Sequence, residues 1–131
     1  MIEQGIVLLV QADTSVAAIA AAGGFFAQLP KDQALPSWTY RLVADKSSYT
    51  FVGPVAVGSR RLQIDCYGYA AADCILLGNA IDAVLSGFKG TLNDPDATIV
   101  QGCFRTNGMD FFDEVSRTFR RMLEYDLWFQ K

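Results

Sequence analysis

The feature that most constrains this chain is a change of hydrophobic period at Gly68, inside the stretch Ser59–Gly90. Before it, Leu62, Ile64 and Cys66 alternate with Arg61, Gln63, Asp65 and Tyr67. A period of two puts the apolar set on one face of a sheet and the polar set on the other. After it, Ala71, Cys74, Ile75, Gly78, Ile81 and Leu85 recur at spacings of three and four, which is one stripe of a helix. Asp73, Asn79, Asp82 and Ser86 avoid the stripe and are expected to face water. Gly87 is placed to stop the helix, because glycine takes the left-handed C′ conformation without strain, and Phe88 can then fold under the last turn. A strand therefore passes directly into a helix that must lie on the same sheet. The small residues Ala71, Gly78 and Ala80 favour a close approach.

The rest of the chain supplies more of both element types. Ile2–Gln11 reads as a helix with Ile2, Ile6, Leu9 and Val10 on one side. Asp13 is a good N-cap for a second helical run over Ser15–Ala22, ended by Gly23 and Gly24. Phe25–Leu29 reads as a short strand and Ser37–Asp45 as another. Lys46–Gly58 keeps Tyr49, Phe51, Val52, Val55 and Val57 apolar among Ser, Gly and Pro that break any period. This is read as a long hairpin connection, extended as a two-stranded arm. Its apolar side chains either fold down onto their own sheet or meet a partner. Asn93–Asp96 is turn chemistry; a solvated turn suits it better than a calcium loop, which needs more oxygens. Thr98–Arg105 reads as a strand, Asn107–Gly108 as a turn, and Met109, Phe111 and Phe112 as a second apolar-bearing connection. Arg117–Gln130 is the longest alternating run, with Phe119, Leu123, Tyr125, Leu127 and Phe129 on one parity and Arg121 the exception. Trp128 falls on the mixed face.

These elements predict an α+β fold: a mostly antiparallel, mixed sheet with one long helix packed on it, an N-terminal helix and a long β-hairpin arm. The 131 residues suit a single domain with one core, and a charged fraction of 19% against 51% hydrophobic suits a globular chain. Ile64, Ile75, Ile81, Leu85, Leu123 and Leu127 are the expected core between helix and sheet. The N-terminal residues lack the basic region of a signal peptide, and no apolar run is long enough to span a membrane.

Candidate chemistry is sparse. The sequence contains no histidine, the commonest general base, thiol activator and zinc ligand. Its three cysteines fit neither a zinc spacing nor a disulfide framework, and are read as buried, reduced thiols. Neither GxGxxG nor GxxxxGK[ST] occurs. Net charge is −3, which argues against binding to a phosphate backbone. Asp65, Asp110, Asp113, Glu114, Glu124 and Asp126 are possible acids or bases, but a salt-bridged sheet face, with Arg60 or Arg61 as counter-charge, outweighs catalysis. No catalytic residue, cofactor or metal ligand is assigned.

Four segments, in order, resemble the tail completion family of tailed bacteriophages and prophages. They are the N-terminal helix followed by Ala-Asp-x-x-Val-Ala-Ala; Ala34-Leu-Pro-Ser-Trp-Thr-Tyr40; the strand–helix unit from Leu62 through Leu-Ser-Gly-Phe-Lys-Gly90; and Arg120-Arg-Met-Leu-Glu-Tyr-Asp-Leu-Trp-Phe129. Tyr67 stands where the family more often has Trp, and Cys74 lies in a helix that usually carries none. The resemblance implies a tail terminator: a non-enzymatic homo-oligomer, a ring six-fold in symmetry, that caps the tail tube and joins it to the head connector. It implies the virion as its place, with the host cytoplasm during assembly. Its partners would be the tube protein and the connector protein, with DNA only passing through. Tyr49, Phe51, Val52, Val55, Met109, Phe111 and Phe112 are the expected contacts to neighbouring subunits or tail partners. Two readings from other classes stand beside it: a small α+β enzyme or ligand-binding domain using carboxylates in a cleft, and a monomeric protein-binding adaptor.

Overall fold

The alternating run before Gly68 is a strand, and the run after it is a helix lying on that strand's apolar face. A computed structural model describes residues 2–20, 23–29, 34–50, 53–95 and 97–130, with side chains outside 43–50, 53–58 and 130. The elements are α1 (Ile2–Gln11), α2 (Thr14–Ile19), β1 (Gly24–Phe26), β2 (Ser37–Thr50), β3 (Gly53–Gly68), α3 (Ala71–Leu85), β4 (Gly90–Thr91), β5 (Ile99–Asp113) and β6 (Thr118–Gln130). This is the α+β class. One six-stranded sheet has the order β1-β2-β3-β6-β5-β4. Among the described residues the β1–β2 pair is parallel and the other pairs are antiparallel.

Trp38, Leu62, Ile64, Cys66, Leu123, Tyr125, Leu127 and Cys103 fill one face of the sheet. Ile2, Ile6 and Val10 of α1, Val16 of α2, and Leu77, Ile81 and Leu85 of α3 close over it. Asp13 caps α2, its Oδ1 accepting from the amides of Ser15 at 2.9 Å and Val16 at 3.1 Å. At the other end of the core Gly87 takes φ 76° after α3, and half-buried Phe88 packs against the core.

Three details explain the local packing. Arg121, the parity exception, lies under α3, where a Cβ on Gly78 would come within 2.8 Å of its Cδ. The glycine leaves the room that the arginine stem occupies, and the guanidinium reaches Asp110 at 3.9 Å. Asp82 does not face bulk water alone; it accepts a hydrogen bond from Tyr125 and pairs with Arg105. The buried stripe of α3 is Cys74, Leu77, Gly78, Ile81 and Leu85. Ile75, expected in the core, is 41% exposed, and Leu77 takes its place with no exposure.

The Asn107–Gly108 pair does not turn the chain. β5 runs straight through it, with a register shift between Arg105 and Asn107 opposite β6. The extra residue is Thr106, a β-bulge just before the pair, and neither Asn107 nor Gly108 takes the positive φ that a two-residue hairpin turn needs. The reversal comes later, where Asp113 Oδ1 accepts from the amides of Val115 at 2.9 Å and Ser116 at 3.4 Å. Met109, Phe111 and Phe112 are therefore strand residues paired with Met122, Arg120 and Phe119. Two shorter elements also differ from expectation: α2 ends at Ile19, and β1 spans Gly24–Phe26.

Candidate interaction surface

Alternation along β3, β5 and β6 sends every second side chain to the face away from the helices. There β3 carries Arg61, Gln63 and Asp65. β6 carries Arg120, Met122, Glu124, Asp126 and Trp128. β5 carries Phe104, Met109 and Phe111, which sit across from Asp126, Met122 and Arg120. Phe104, Met109, Phe111 and Trp128 are all exposed, the first by 55%. The same face buries Gln63, Asp65 and Met122 nearer its centre.

The charges on this face neutralise one another. Arg61 Nε stands 3.8 Å from Glu124 and 3.6 Å from Asp126, the i, i+2 carboxylates that would otherwise repel. Asp65 accepts from Gln63 Nε2 at 3.0 Å and faces Arg120 Nε at 3.9 Å. Each partly exposed pair is worth at most about 1 kcal/mol. Together they fix the directions of long side chains around the aromatic ones. Arg120 also lies 4.4 Å above the Phe111 ring, an arrangement worth about 0.5–1 kcal/mol when exposed.

At the β5–β6 turn the aromatic residues divide. Phe112 points to the helix side, its ring 4.7 Å from that of Phe119, with Arg117 5.7 Å above it. A cleft of about 300 Å³ is lined by Tyr67, Phe111, Phe112, Asp113, Thr118 and Arg120. A second, of about 170 Å³, runs between α3 and the hairpin past Cys74, Ile75, Phe111 and Phe119. Exposed Tyr69, Ile75 and Leu76 continue this apolar corner at the start of α3.

Of the groups whose titration is strongly displaced, Cys74 borders the second cleft and the others lie away from both. Burial pushes the thiol of Cys66 up, that of Cys74 to about 11 and that of Cys103 to about 12. Burial and the bond to Asp82 hold the Tyr125 phenol protonated. Asp94 is held below the usual carboxylate range: burial opposes ionisation, but the Thr98 hydroxyl and amide, both at 2.7 Å, outweigh it. None of these groups lines the two clefts as an acid–base pair. What the face offers is arginine, aromatic and methionine side chains together, the composition of protein-binding surfaces.

Of the residues singled out in the sequence, Met109 and Phe111 share the open face and Phe112 turns from it. Tyr49 and Val55 lie in the β2–β3 ribbon, where Tyr49 pairs with Pro54; their side chains are among those not described. Phe51 and Val52 lie outside the described residues. Trp128, on the mixed face whose parity Arg120 shares, was open to an interface role, but that Phe104 joins them on one face was missed. Their shared parity across two strands was the available signal, hidden by the misplaced turn at Asn107–Gly108.

The sequence matches the family model described as "Tail completion protein gp17" over residues 4–130. A comparison with curated proteins finds no match. The fold is similar to that of a chain in a solved structure described as "Virion of native gene transfer agent (GTA) particle". The TM-score is 0.75 at 15% sequence identity, covering 96% of this chain and 92% of that chain.

Proposed function

Because the chain belongs to the tail completion protein gp17 family, we propose that it is a structural tail protein that assembles into a ring, six-fold in symmetry, on the end of a completed tail tube. The ring closes the tube and presents the surface that joins the head connector. Its place is the virion, at the head–tail junction, after assembly in the host cytoplasm. The observation that carries the reading is the family match across residues 4–130. The fold shared with a chain of a gene transfer agent virion supports it.

The chemistry agrees with a part that binds proteins and does no catalysis. Carboxylates on the open face are engaged with Arg61 and Arg120. A net charge of −3 suits a passage that DNA must cross without sticking. Contacts to neighbouring subunits or tail partners are assigned to Tyr49, Phe51, Val52, Val55, Met109, Phe111 and Phe112. A closed ring needs a heterologous contact, one patch meeting a different patch on the next copy. The arm and the β5–β6 hairpin are two such separate patches. Mass photometry across concentration tests the reading: rings or concentration-dependent oligomers are expected. A strict monomer that binds a small metabolite would replace it with an enzyme or carrier.

A further inference from the structure

Packing requires a glycine at 108, and that glycine leaves a labile side chain beside it. A Cβ on Gly108 would come within 2.5 Å of Nη2 of Arg105, whose guanidinium also reaches Asp82. The residue before it is Asn107, and its side chain folds back on the glycine. The Gly108 amide donates to Asn107 Oδ1 at 2.9 Å. Both residues are exposed.

We propose that Asn107 is a site of spontaneous deamidation in the folded protein, and that the product loosens the end of the β5–β6 hairpin that carries Met109 and Phe111. The proposal stands independently of the ring reading.

In this reaction the Gly108 nitrogen attacks Asn107 Cγ and gives up its proton to hydroxide. The Cγ–Nδ2 bond breaks, ammonia leaves with a proton taken from water, and a five-membered succinimide closes. Water then opens either of the two carbonyls that flank the ring nitrogen. One opening leaves aspartate at position 107. The other leaves isoaspartate, in which the main chain runs through the side-chain carbons.

Three observations favour the site. The first is proximity: the hydrogen bond already holds the side-chain amide against the nitrogen that attacks it. The second is access, since glycine carries no side chain to screen that nitrogen. The third is freedom to move. Ring closure draws Asn107 out of the extended conformation, and little resists it here. Thr106 is the extra residue of the bulge just before it, and among the described residues no strand lies beside β5 from Asn107 to Asp113. Local opening at such a place costs little. The other two asparagines are held more firmly. Asn79 lies within α3, and Asn93 precedes buried Asp94, whose carboxylate is tied to Thr98. The consequence follows from the register. Asn107 pairs with Glu124, so a new carboxylate meets a like charge across the strands. The added main-chain carbon of isoaspartate puts 108–113 out of step with β6.

Peptide mapping by mass spectrometry tests this on folded protein and on protein unfolded in guanidinium, both incubated at mildly alkaline pH. Asn107 should convert in the folded protein at a rate within about tenfold of the unfolded chain, as for a segment that opens locally. Asn79 and Asn93 should lag behind it. In the converted protein the amides of 108–113 should exchange hydrogen faster than in fresh protein. Asn107→Gln, whose longer side chain closes a six-membered ring far less readily, should show neither change after the same incubation. Folded protein that keeps Asn107 while the unfolded chain converts it overturns the proposal, as does earlier conversion of Asn79 or Asn93. Unchanged exchange over 108–113 in fully converted protein overturns the loosening.

Discussion

The Tyr125 hydroxyl donates a 2.7 Å hydrogen bond to Asp82 Oδ1, fastening α3 to β6 across the core. Arg105 Nη1 approaches the other oxygen at 3.6 Å, bringing β5 into the same clasp. Three elements distant in sequence meet at one carboxylate. Replacing Tyr125 with Phe removes the donor and leaves a buried ring. A hydrogen bond to a charged acceptor contributes about 1.5–3 kcal/mol, and Arg105 still faces Asp82. We therefore expect a loss at the lower end, about 1–2 kcal/mol, in urea denaturation. A variant as stable as the parent would show that the clasp contributes nothing.

Ile81 and Ile75 occupy the same helix and should respond differently. Ile81 is fully buried, so Ile81→Ala should cost about 2–5 kcal/mol through lost transfer energy and a cavity. Ile75 is 41% exposed, and Ile75→Ala should stay within about 0.5 kcal/mol of the parent. Equal losses in equilibrium unfolding would mean that α3 is rotated from the face described.

The thiols give a pH signature. Burial raises Cys74 from 9.0 to about 11, and its Sγ donates a hydrogen bond to the Phe119 carbonyl oxygen at 3.1 Å. A thiol whose folded pKa is raised stays protonated in the native state while the unfolded chain ionises. Its contribution to stability is complete below about pH 9 and is lost as pH rises through about 11. At neutral pH, Cys66 and Cys74 should label slowly with a thiol reagent, since the thiolate is the reactive form. Prompt labelling of both in the native state, or stability rising across that alkaline window, contradicts this.

The sequence made the strand–helix unit legible because both periods are strong and meet at Gly68. α1 and the Asp13 cap were legible for the same local reasons. The face of α3 was read less well. Ile75, Leu76 and Leu77 are consecutive apolar residues, so the pattern does not say which one points inward; packing on β3 and β6 selects Leu77. Asn107–Gly108 misled because the pair suits a hairpin turn yet can also run on within a strand, as it does here without positive φ. Only pairing with β6 distinguishes them, and that partner lies downstream. This error carried over to the surface, since Met109 and Phe111 looked like loop residues when they extend the open face. Asp82 looked solvent-facing because its partners, Tyr125 and Arg105, come from other strands.

Phe111 is the described residue on which the proposed contact surface leans most. Phe111→Ser removes an exposed ring and its contact with Arg120, so the fold should lose about 1 kcal/mol or less. Assembly should weaken by about 2 kcal/mol or more if the ring is an anchor at the contact centre. Thermal melts and mass photometry on the same samples separate the two effects. A much earlier melt places Phe111 in the subunit's own core. Unchanged melting with unchanged oligomerisation removes it from the interface.

The most direct measurement of the ring reading is negative-stain imaging of the purified protein alone and after mixing with tail tubes. The account predicts rings of one size in the free protein or on the tubes, and a single ring seated at one end of each tube. Tubes with both ends bare at saturating protein, or protein scattered along their length, would contradict it.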